Sequence, residues 1–278
     1  MPERLAAQLA FDDISLRIGE TTVLKHISFE LGAGETLIVL GAAGSGKTVL
    51  LKIALGLLRP STGRLILFGT DVTEYSERQW FDVRSRIGVL FQEGGLFDSL
   101  NIADNVAYPL ENQRLLRCPE DQVLPKVEES LEFVELGHTL EKYPSELSGG
   151  MRRRVGIARA IVSQPALLLY DSPTAGLDPI TANTIMALIA KGRDVRQATT
   201  VMVTQRYQDG EILAGFRYDV ATGELRPADD GEATRTRYLV LEEGRTAFLG
   251  TPPELGACTD PYVVKFIQMC IRDRDGDD

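Results

Sequence analysis

Glycines stand beside a lysine and a threonine in one short stretch of the sequence, Gly41–Thr48 (GAAGSGKT). The spacing fits the pattern G-x-x-x-x-G-K-[ST] of a phosphate-binding loop. Glycines let backbone N–H groups turn inward around phosphate oxygens, because they adopt backbone angles that other residues resist. A lysine at this place reaches the β- and γ-phosphates of a nucleotide, and the hydroxyl that follows it binds Mg²⁺. The predicted nucleotide-binding residues are Gly41, Ala42, Ala43, Gly44, Ser45, Gly46, Lys47 and Thr48.

A second candidate for metal binding is Asp171, which follows the apolar run Ala166–Tyr170 (ALLLY). Such a run predicts a strand buried on both faces, and a carboxylate at its end can hold Mg²⁺ through water. The phosphate-binding loop has the flanking elements that it needs, a buried strand before it and a helix after it, whose N-terminus adds partial positive charge. The predicted buried strands are Thr36–Leu40, Ala166–Tyr170 and Thr199–Val203, and the predicted helices include Val49–Leu58, Arg152–Ser163 and Ala182–Lys191.

Strands and helices alternate along most of the chain, which predicts an α/β protein with a parallel sheet. A mostly helical insertion is expected at about residues 93–150, and a polar hairpin or loop at about 217–236. A helical tail is expected over residues 251–268. Residues 269–278 are expected to be non-native or disordered, because Met269–Arg274 (MCIRDR) matches a translated sequencing-transposon end.

Composition excludes several classes of protein. With 44% hydrophobic and 25% charged residues among 278, the chain is expected to fold rather than to stay disordered. No apolar run reaches the roughly 18–20 residues that a membrane-spanning helix needs. The net charge of -10 is opposite in sign to a nucleic-acid-binding footprint, so no nucleic-acid partner is expected. Three cysteines without metal-type spacing indicate neither a disulfide framework nor a metal site.

Between the two phosphate-site elements lies Leu147–Arg154 (LSGGMRRR), which resembles the signature LSGGQ of ABC ATPases, with Met151 in place of glutamine. The segment Asp171–Asp178 (DSPTAGLD) resembles the Walker B and D-loop of that family, and Phe91-Gln92 resembles its Q-loop. These segments occur in the family's order and spacing. The resemblance covers about residues 9–250, and residues 1–250 are expected to form one ATP-binding domain. It implies a P-loop NTPase fold: a RecA-like core with a mostly parallel sheet, an N-terminal antiparallel β subdomain and an inserted α-helical subdomain.

The resemblance also implies how ATP and Mg²⁺ are bound. In this family the nucleotide lies between two ATPase subunits, with the signature of one facing the phosphate-binding loop of the other. Ser148 would supply a hydroxyl, and Gly149 and Gly150 would supply backbone N–H groups. Gln92 would be a ligand of Mg²⁺ or of its water, together with Thr48 and Asp171. An ATP-dependent homodimer is therefore expected.

Membrane permease subunits are the further partners that the resemblance implies, with the chain peripheral on the cytoplasmic face of the inner or plasma membrane. The segments LSGGMRRR, FQEGGLFDSLNIADNVAYPL and DPIT are most similar to the ATPases of Mla-type, MCE-associated lipid transporters. A phospholipid or other lipid cargo and an MCE-type lipid-binding partner follow from that similarity. Import of amino acids or other polar solutes is the alternative.

The sequence departs from the family at three positions. Ser172 stands where a glutamate normally acts as general base, and Gln205 stands where a histidine normally contacts the γ-phosphate. Ile18 falls where an aromatic ring usually stacks on adenine, with Phe11 as a possible substitute. Two interpretations stay open: a transport ATPase in which Ser172 and Gln205 orient water, and a degenerate, ATP-gated subunit with little hydrolysis. A non-transport ABC protein of repair or translation lacks sequence support, since neither a coiled-coil insertion nor a second cassette is present.

For several other side chains, the sequence favours a structural role or leaves a structural and a functional role open. Arg152 and Arg153 are expected on a solvated helix face, whereas Arg154 matches the family's arginine position. His26 and His138 are expected on the surface. Five apolar residues form either a groove that accepts a permease helix or the core of the inserted subdomain: Leu96, Phe97, Leu100, Val106 and Tyr108.

Overall fold

The computed structural model describes residues 7–92, 94–112, 118–229, 231 and 235–275. The chain divides into two compact units. The first unit consists of Met1–Glu74 and Thr199–Asp278, and the second of Tyr75–Ala198. No helix in the described part of the chain is long and apolar enough to cross a membrane.

The first unit begins with an antiparallel sheet, whose strands run in the order β2 (Thr21–Leu31), β1 (Leu9–Ile18), β4 (Thr62–Leu67) and β5 (Thr70–Asp71). Residues along β2 alternate between exposed and buried, the pattern of a sheet with one face on the core.

A second group of strands in this unit centres on β3 (Thr36–Leu40), which pairs in parallel with β11 (Thr236–Glu242) and with β8 (Thr199–Val203). Every residue of β3 and β8 is buried, which explains why these strands are mostly apolar and contain no charged residue. Because the two strands are parallel neighbours, the residues that follow them emerge at the same sheet edge. β12 (Arg245–Gly250) is antiparallel to β11.

The other elements that the structure describes in the first unit are four helices and a hairpin. Residues 217–227 fall mostly in the hairpin, which is closed by Asp219 opposite Glu224. These elements are α1 (Lys47–Ala54), α7 (Tyr207–Gly215), β9 (Phe216–Asp219), β10 (Glu224–Pro227), α8 (Pro252–Gly256) and α9 (Pro261–Asp275).

The second unit pairs β6 (Ile87–Leu90) in parallel with β7 (Leu167–Asp171). Helix α5 (Gly149–Ile161) packs directly on β6. Gly88 permits this approach, because a Cβ at that position would lie 2.0 Å from the carbonyl oxygen of Ala160. The other helices are α2 (Glu77–Arg84), α3 (Ile102–Asn112), α4 (Glu120–Phe133) and α6 (Pro179–Arg196).

The predicted fold class is confirmed. Among the described strands, β3 with β11, β3 with β8 and β6 with β7 are parallel pairs, and a separate antiparallel sheet opens the chain. Between β6 and α5 the described residues contain α3, α4 and two short 3-10 turns, Gly137–Thr139 and Pro144–Glu146.

Candidate functional site

The phosphate-binding loop connects β3 to α1 in the first unit. Lys47 is 6% exposed, and its Nζ donates hydrogen bonds to the carbonyl oxygens of Gly41 at 2.8 Å and of Ala42 at 2.7 Å. The ammonium group is thus held inside the curve of the loop. Gly46 has φ +103°, and a Cβ there would lie 2.6 Å from Cδ2 of Leu24, so this position requires glycine for both conformation and space.

The donor groups of this loop fit a nucleotide phosphate. Helix α1 begins after Gly46 with no side-chain cap and no acidic residue in its first turn. Its first backbone N–H groups have no acceptor within the helix and carry its positive dipole end. The ammonium of Lys47, the hydroxyls of Ser45 and Thr48, and these N–H groups are all suited to anionic oxygens. Thr48 is exposed, as a hydroxyl that binds Mg²⁺ must be.

Asp171 and Ser172 lie at the carboxyl end of β7 in the second unit. The Asp171 side chain is 5% exposed, and the Ser172 hydroxyl donates a hydrogen bond to its Oδ1 at 3.3 Å. Ser172 adopts a left-handed backbone conformation with φ +47°, which is strained for a residue with a Cβ. The described residues contain no group of three His, Cys, Asp or Glu side chains that could hold a metal ion. A single carboxylate is nevertheless ordinary for Mg²⁺ that is bound mainly by water and substrate phosphates.

The signature segment forms the start of α5. Ser148 is the N-cap, and its hydroxyl oxygen accepts a hydrogen bond from the Met151 N–H at 3.3 Å. Its O–H group can therefore donate a hydrogen bond to another group. Ser148 and Gly149 are exposed, and Gly149 and Gly150 present the N–H groups of the first turn. A Cβ on Gly150 would lie 2.6 Å from Cγ2 of Thr181, so Gly150 is needed for the close approach of α6.

Gln205 is exposed and lies two residues beyond β8, at the sheet edge from which the phosphate-binding loop also emerges. The residue before it is fixed by a buried contact, because the Thr204 hydroxyl donates to Oδ2 of Asp209 at 2.8 Å. The Arg206 N–H in turn donates to the Thr204 hydroxyl oxygen at 3.0 Å. Sequence reasoning missed Asp209. The sequence does contain a signal for it, since Asp209 is an acidic residue among the buried, otherwise uncharged residues of α7.

The five apolar residues of the inserted region divide between core and surface. Val106 is fully buried, whereas Phe97 and Tyr108 are each 41% exposed and their ring centroids lie 4.7 Å apart. Both rings line a pocket of about 310 Å³. The buried Asn105 fixes the backbone beside it, since its amide Nδ2 donates to the Phe97 carbonyl at 3.0 Å and its Oδ1 accepts from the Phe97 N–H at 2.8 Å.

Two of the sequence expectations are wrong. Phe11 is 2% exposed and stacks on Phe29 with centroids 4.7 Å apart, because the two residues are paired across β1 and β2. It therefore has no ring face to offer to adenine, whereas Ile18 is 51% exposed. Arg153 is not on a solvated face, since it is 4% exposed and donates to the carbonyl of Ser172.

Other expected positions agree with the structure. Arg152 is exposed, and so are both histidines. His26 lies in β2 with its Nδ1 2.8 Å from Oδ1 of Asp13, and His138 lies in a 3-10 turn. The first unit carries Ile18, the phosphate-binding loop and Gln205. The second unit carries the other predicted site residues: Gln92, Ser148, Gly149, Gly150, Asp171 and Ser172.

Comparison with known proteins places these segments in one family. A family model described as ABC transporter matches residues 24–175, which is more than half of the chain. The chain belongs to the ABC transporter ATP-binding family. Its members generally hydrolyse ATP, and the family membership that the signature, Walker B and Q-loop segments predict is confirmed.

Two relatives illustrate the range of the family around this chain. It is 40% identical over 186 residues to the probable ribonucleotide transport ATP-binding protein mkl of Mycobacterium leprae, covering 67% of this chain and 53% of that protein. It is 34% identical over 209 residues to the intermembrane phospholipid transport system ATP-binding protein MlaF of Haemophilus influenzae, covering 75% and 78%. The chain thus spans about half the length of the mkl relative.

Solved structures agree with the fold. The ATP-binding cassette MJ0796, a dimer in a post-hydrolysis state bound to ADP and Pi, matches with a TM-score of 0.73 and 25% identity, covering 87% of this chain and 98% of that one. The cassette cbiO1 of Clostridium perfringens matches with a TM-score of 0.74 and 27% identity over 92% of both chains.

Proposed function

We propose that this chain binds Mg-ATP between two copies of itself and uses ATP hydrolysis to drive lipid transport by a membrane permease. The observation that carries the proposal is the start of α5. There the exposed Ser148 and Gly149 present a hydroxyl and helix-terminal N–H groups that suit the γ-phosphate bound to a second copy. The dimeric relative MJ0796, which holds ADP and Pi, supports this pairing.

Within each site, the residues have separate roles. Lys47 would bind the β- and γ-phosphates, the loop 41–46 would surround them with N–H groups, and Ile18 would pack on the adenine. Thr48, Asp171 and Gln92 would hold Mg²⁺ directly or through water. When bound, this ion neutralises phosphate charge. Ser172 and Gln205 would orient the attacking water through hydrogen bonds.

Hydrolysis is proposed to be slow. A serine hydroxyl and an amide are both poor proton acceptors at neutral pH. Phosphoryl transfer is largely dissociative, so positioning of the water still permits turnover without a strong base. The degenerate interpretation, in which ATP gates association with little hydrolysis, is the limiting case of this mechanism.

A lipid cargo is supported by the similarity to MlaF, of which the chain covers 78%. In that setting the chain would lie on the cytoplasmic face of the membrane, bound to permease subunits, with an MCE-type lipid-binding protein in the same complex. Import of a polar solute is the second candidate. It is supported by 40% identity over 206 residues to the methionine import ATP-binding protein MetN of Corynebacterium jeikeium.

Purification of the complete complex from its native membrane distinguishes the two cargoes. A tag on this chain should retain the permease, and mass spectrometry should identify an MCE-domain protein with it. The complex should then hydrolyse ATP faster in vesicles that contain phospholipid substrate, and the Lys47→Ala complex should not. A periplasmic solute-binding protein in the complex, with stimulation by methionine, would contradict the lipid assignment.

A further inference from the structure

Arg153 is buried in the second turn of α5, yet its guanidinium group bonds to residues far along the chain. It is 4% exposed. Its Nη1 donates to the carbonyl oxygen of Ser172 at 3.2 Å and also to that of Pro173, and its Nη2 donates to that of Ala175 at 2.9 Å. One cation thus satisfies three carbonyl oxygens from the four residues 172–175, which form the first part of the D-loop.

The segment that Arg153 binds has little regular structure of its own. Ser172 has φ +47°, and the turn continues with hydrogen bonds from the Ala175 N–H to the Ser172 carbonyl and from the Leu177 N–H to the Thr174 carbonyl, both at 3.2 Å. A strained conformation of this kind persists only where the surroundings fix it. The three bonds from Arg153 are such a constraint, and they act on the residue whose hydroxyl contacts Asp171.

We infer that Arg153 is a positioning residue that fixes the Ser172 hydroxyl and ties it to the start of α5. The inference rests on the proposed function, in which Ser172 orients water and the Ser148–Gly150 end of α5 binds the phosphate of a second copy. Because one side chain joins the two segments, displacement of α5 on binding a second copy would also displace Ser172. The bonds of Arg153 fix the segment of Ser172, which in the proposed function orients water and does not hold the phosphates, so its loss should affect turnover more than nucleotide affinity.

The guanidinium shape is essential to this role. Arginine presents several N–H donors in a fixed planar fork, whereas lysine is a single point of charge on a flexible chain. Arg153→Lys should therefore retain the charge but not the three simultaneous bonds. Arg153→Gln removes the charge as well. Arg193 offers a matched control, because it is also 4% exposed and lies in the same unit, but its guanidinium binds Asp194 at 2.7 Å.

Amide hydrogen exchange tests the contact without requiring ATP turnover. Arg153→Gln should speed exchange at Ala175 and Leu177 by about tenfold, the effect of losing one hydrogen bond to a charged group. Arg193→Gln should leave those two amides unchanged, whatever it does to overall stability. Unchanged exchange in Arg153→Gln, or equal acceleration in both variants, would overturn the inference.

Kinetics then test positioning against a merely structural role. In single-turnover assays Arg153→Gln should lower kcat by about tenfold, Arg153→Lys by less, and the Kd for Mg-ATP should stay constant in both. In a Ser172→Ala background the same Arg153→Gln change should cost much less, because the hydroxyl that it positions is gone. Additive losses, or a matching loss of affinity, would contradict the positioning role.

If the unmodified protein neither binds nor hydrolyses ATP, the proposed function fails, while the exchange experiment still decides whether Arg153 fixes the loop.

Discussion

The hydroxyl of Ser172 donates a hydrogen bond to the carboxylate of Asp171, with 3.3 Å between Oγ and Oδ1. The serine oxygen therefore keeps its lone pairs to accept a hydrogen bond from a water molecule. It can orient that water, but a hydroxyl oxygen does not take up a proton at neutral pH. In the proposed site, Ser172 can thus orient the attacking water as a glutamate would, but it cannot act as a base.

Restoring the two usual residues should accelerate hydrolysis. Ser172→Glu combined with Gln205→His should raise kcat by ~10²–10⁴-fold, the usual contribution of general acid–base catalysis. The Kd for Mg-ATP should not fall, because the amide of Gln205 can already donate a hydrogen bond to the γ-phosphate where a histidine would, and the carboxylate added at position 172 donates none. Single-turnover assays on both forms, with each single variant as a control, measure the effect. If the unmodified protein already reacts as fast as the double variant, another residue acts as the base.

ATP binding should depend on the Lys47 ammonium group. Its two hydrogen bonds to the loop carbonyls place it where phosphate oxygens would enter. Lys47→Ala should weaken Mg-ATP binding by ~1.5–3 kcal/mol, the range for a hydrogen bond to a charged group. Calorimetry measures this, with Lys52→Ala as the matched control, because Lys52 is an exposed lysine of the same helix. Equal affinity in wild type and Lys47→Ala would show that the loop does not bind the phosphates.

Association of two copies should require Mg-ATP, since the proposed signature contacts form only across a bound phosphate. Sedimentation velocity should show a shift toward dimer on addition of Mg-ATP. Gly149→Asp should abolish that shift, because it places a carboxylate at the helix end that would face the γ-phosphate. A Cβ at Gly149 meets only Cδ2 of Leu177, at 3.9 Å, so the substitution is compatible with the fold.

Gly149→Asn is the matched control for this experiment, as it adds a side chain of the same size and shape without charge, and it should retain most of the shift. A dimer of the same size with and without nucleotide would contradict an ATP-held pair. So would a Gly149→Asp variant that still associates on addition of Mg-ATP.

Local sequence signals predicted the elements that carry the site. The strand Thr199–Val203 has the predicted bounds, because its continuous apolar run is buried on every residue. The helix predicted at Ala182–Lys191 extends in the structure from Pro179 to Arg196. Its true start was readable from the sequence, since Asp178 caps the helix and Pro179 occupies its first position.

Contacts between distant parts of the chain were not predictable in the same way. Arg153 looked like one member of a basic run on a helix face, and only the folded position of residues 172–175 shows what it binds. The ring of Phe11 is likewise of a type that could stack on adenine. In the structure the register of β1 with β2 places Phe29 against it, so that the ring is not available. Pattern reasoning identifies the segments that carry chemistry, whereas pairing between strands and loops decides which side chains remain available.

The cap of α6 should make stability depend on pH. The pKa of Asp178 is lowered from its ordinary value of 3.8, chiefly because its carboxylate accepts a hydrogen bond from the Thr181 side chain, and also because backbone N–H groups of Thr181 and Ile180 donate to it. A carboxyl whose pKa is lower in the folded state stabilises the fold fully above its unfolded pKa. That contribution is lost as the pH falls through the folded pKa.

Asp178→Asn isolates the charge in this cap, because asparagine caps helices about as well as aspartate but stays neutral. Denaturant unfolding should show wild type to be more stable than Asp178→Asn at about pH 7, and the difference should be smaller at a pH below the ordinary pKa of 3.8, because the wild-type carboxyl takes up its proton as the pH falls through the folded pKa. The sign follows from the lowered pKa. A raised pKa would instead make wild type gain stability relative to Asp178→Asn as the pH falls. A difference that is constant between the two pH values would show that the carboxylate charge contributes nothing to the start of α6.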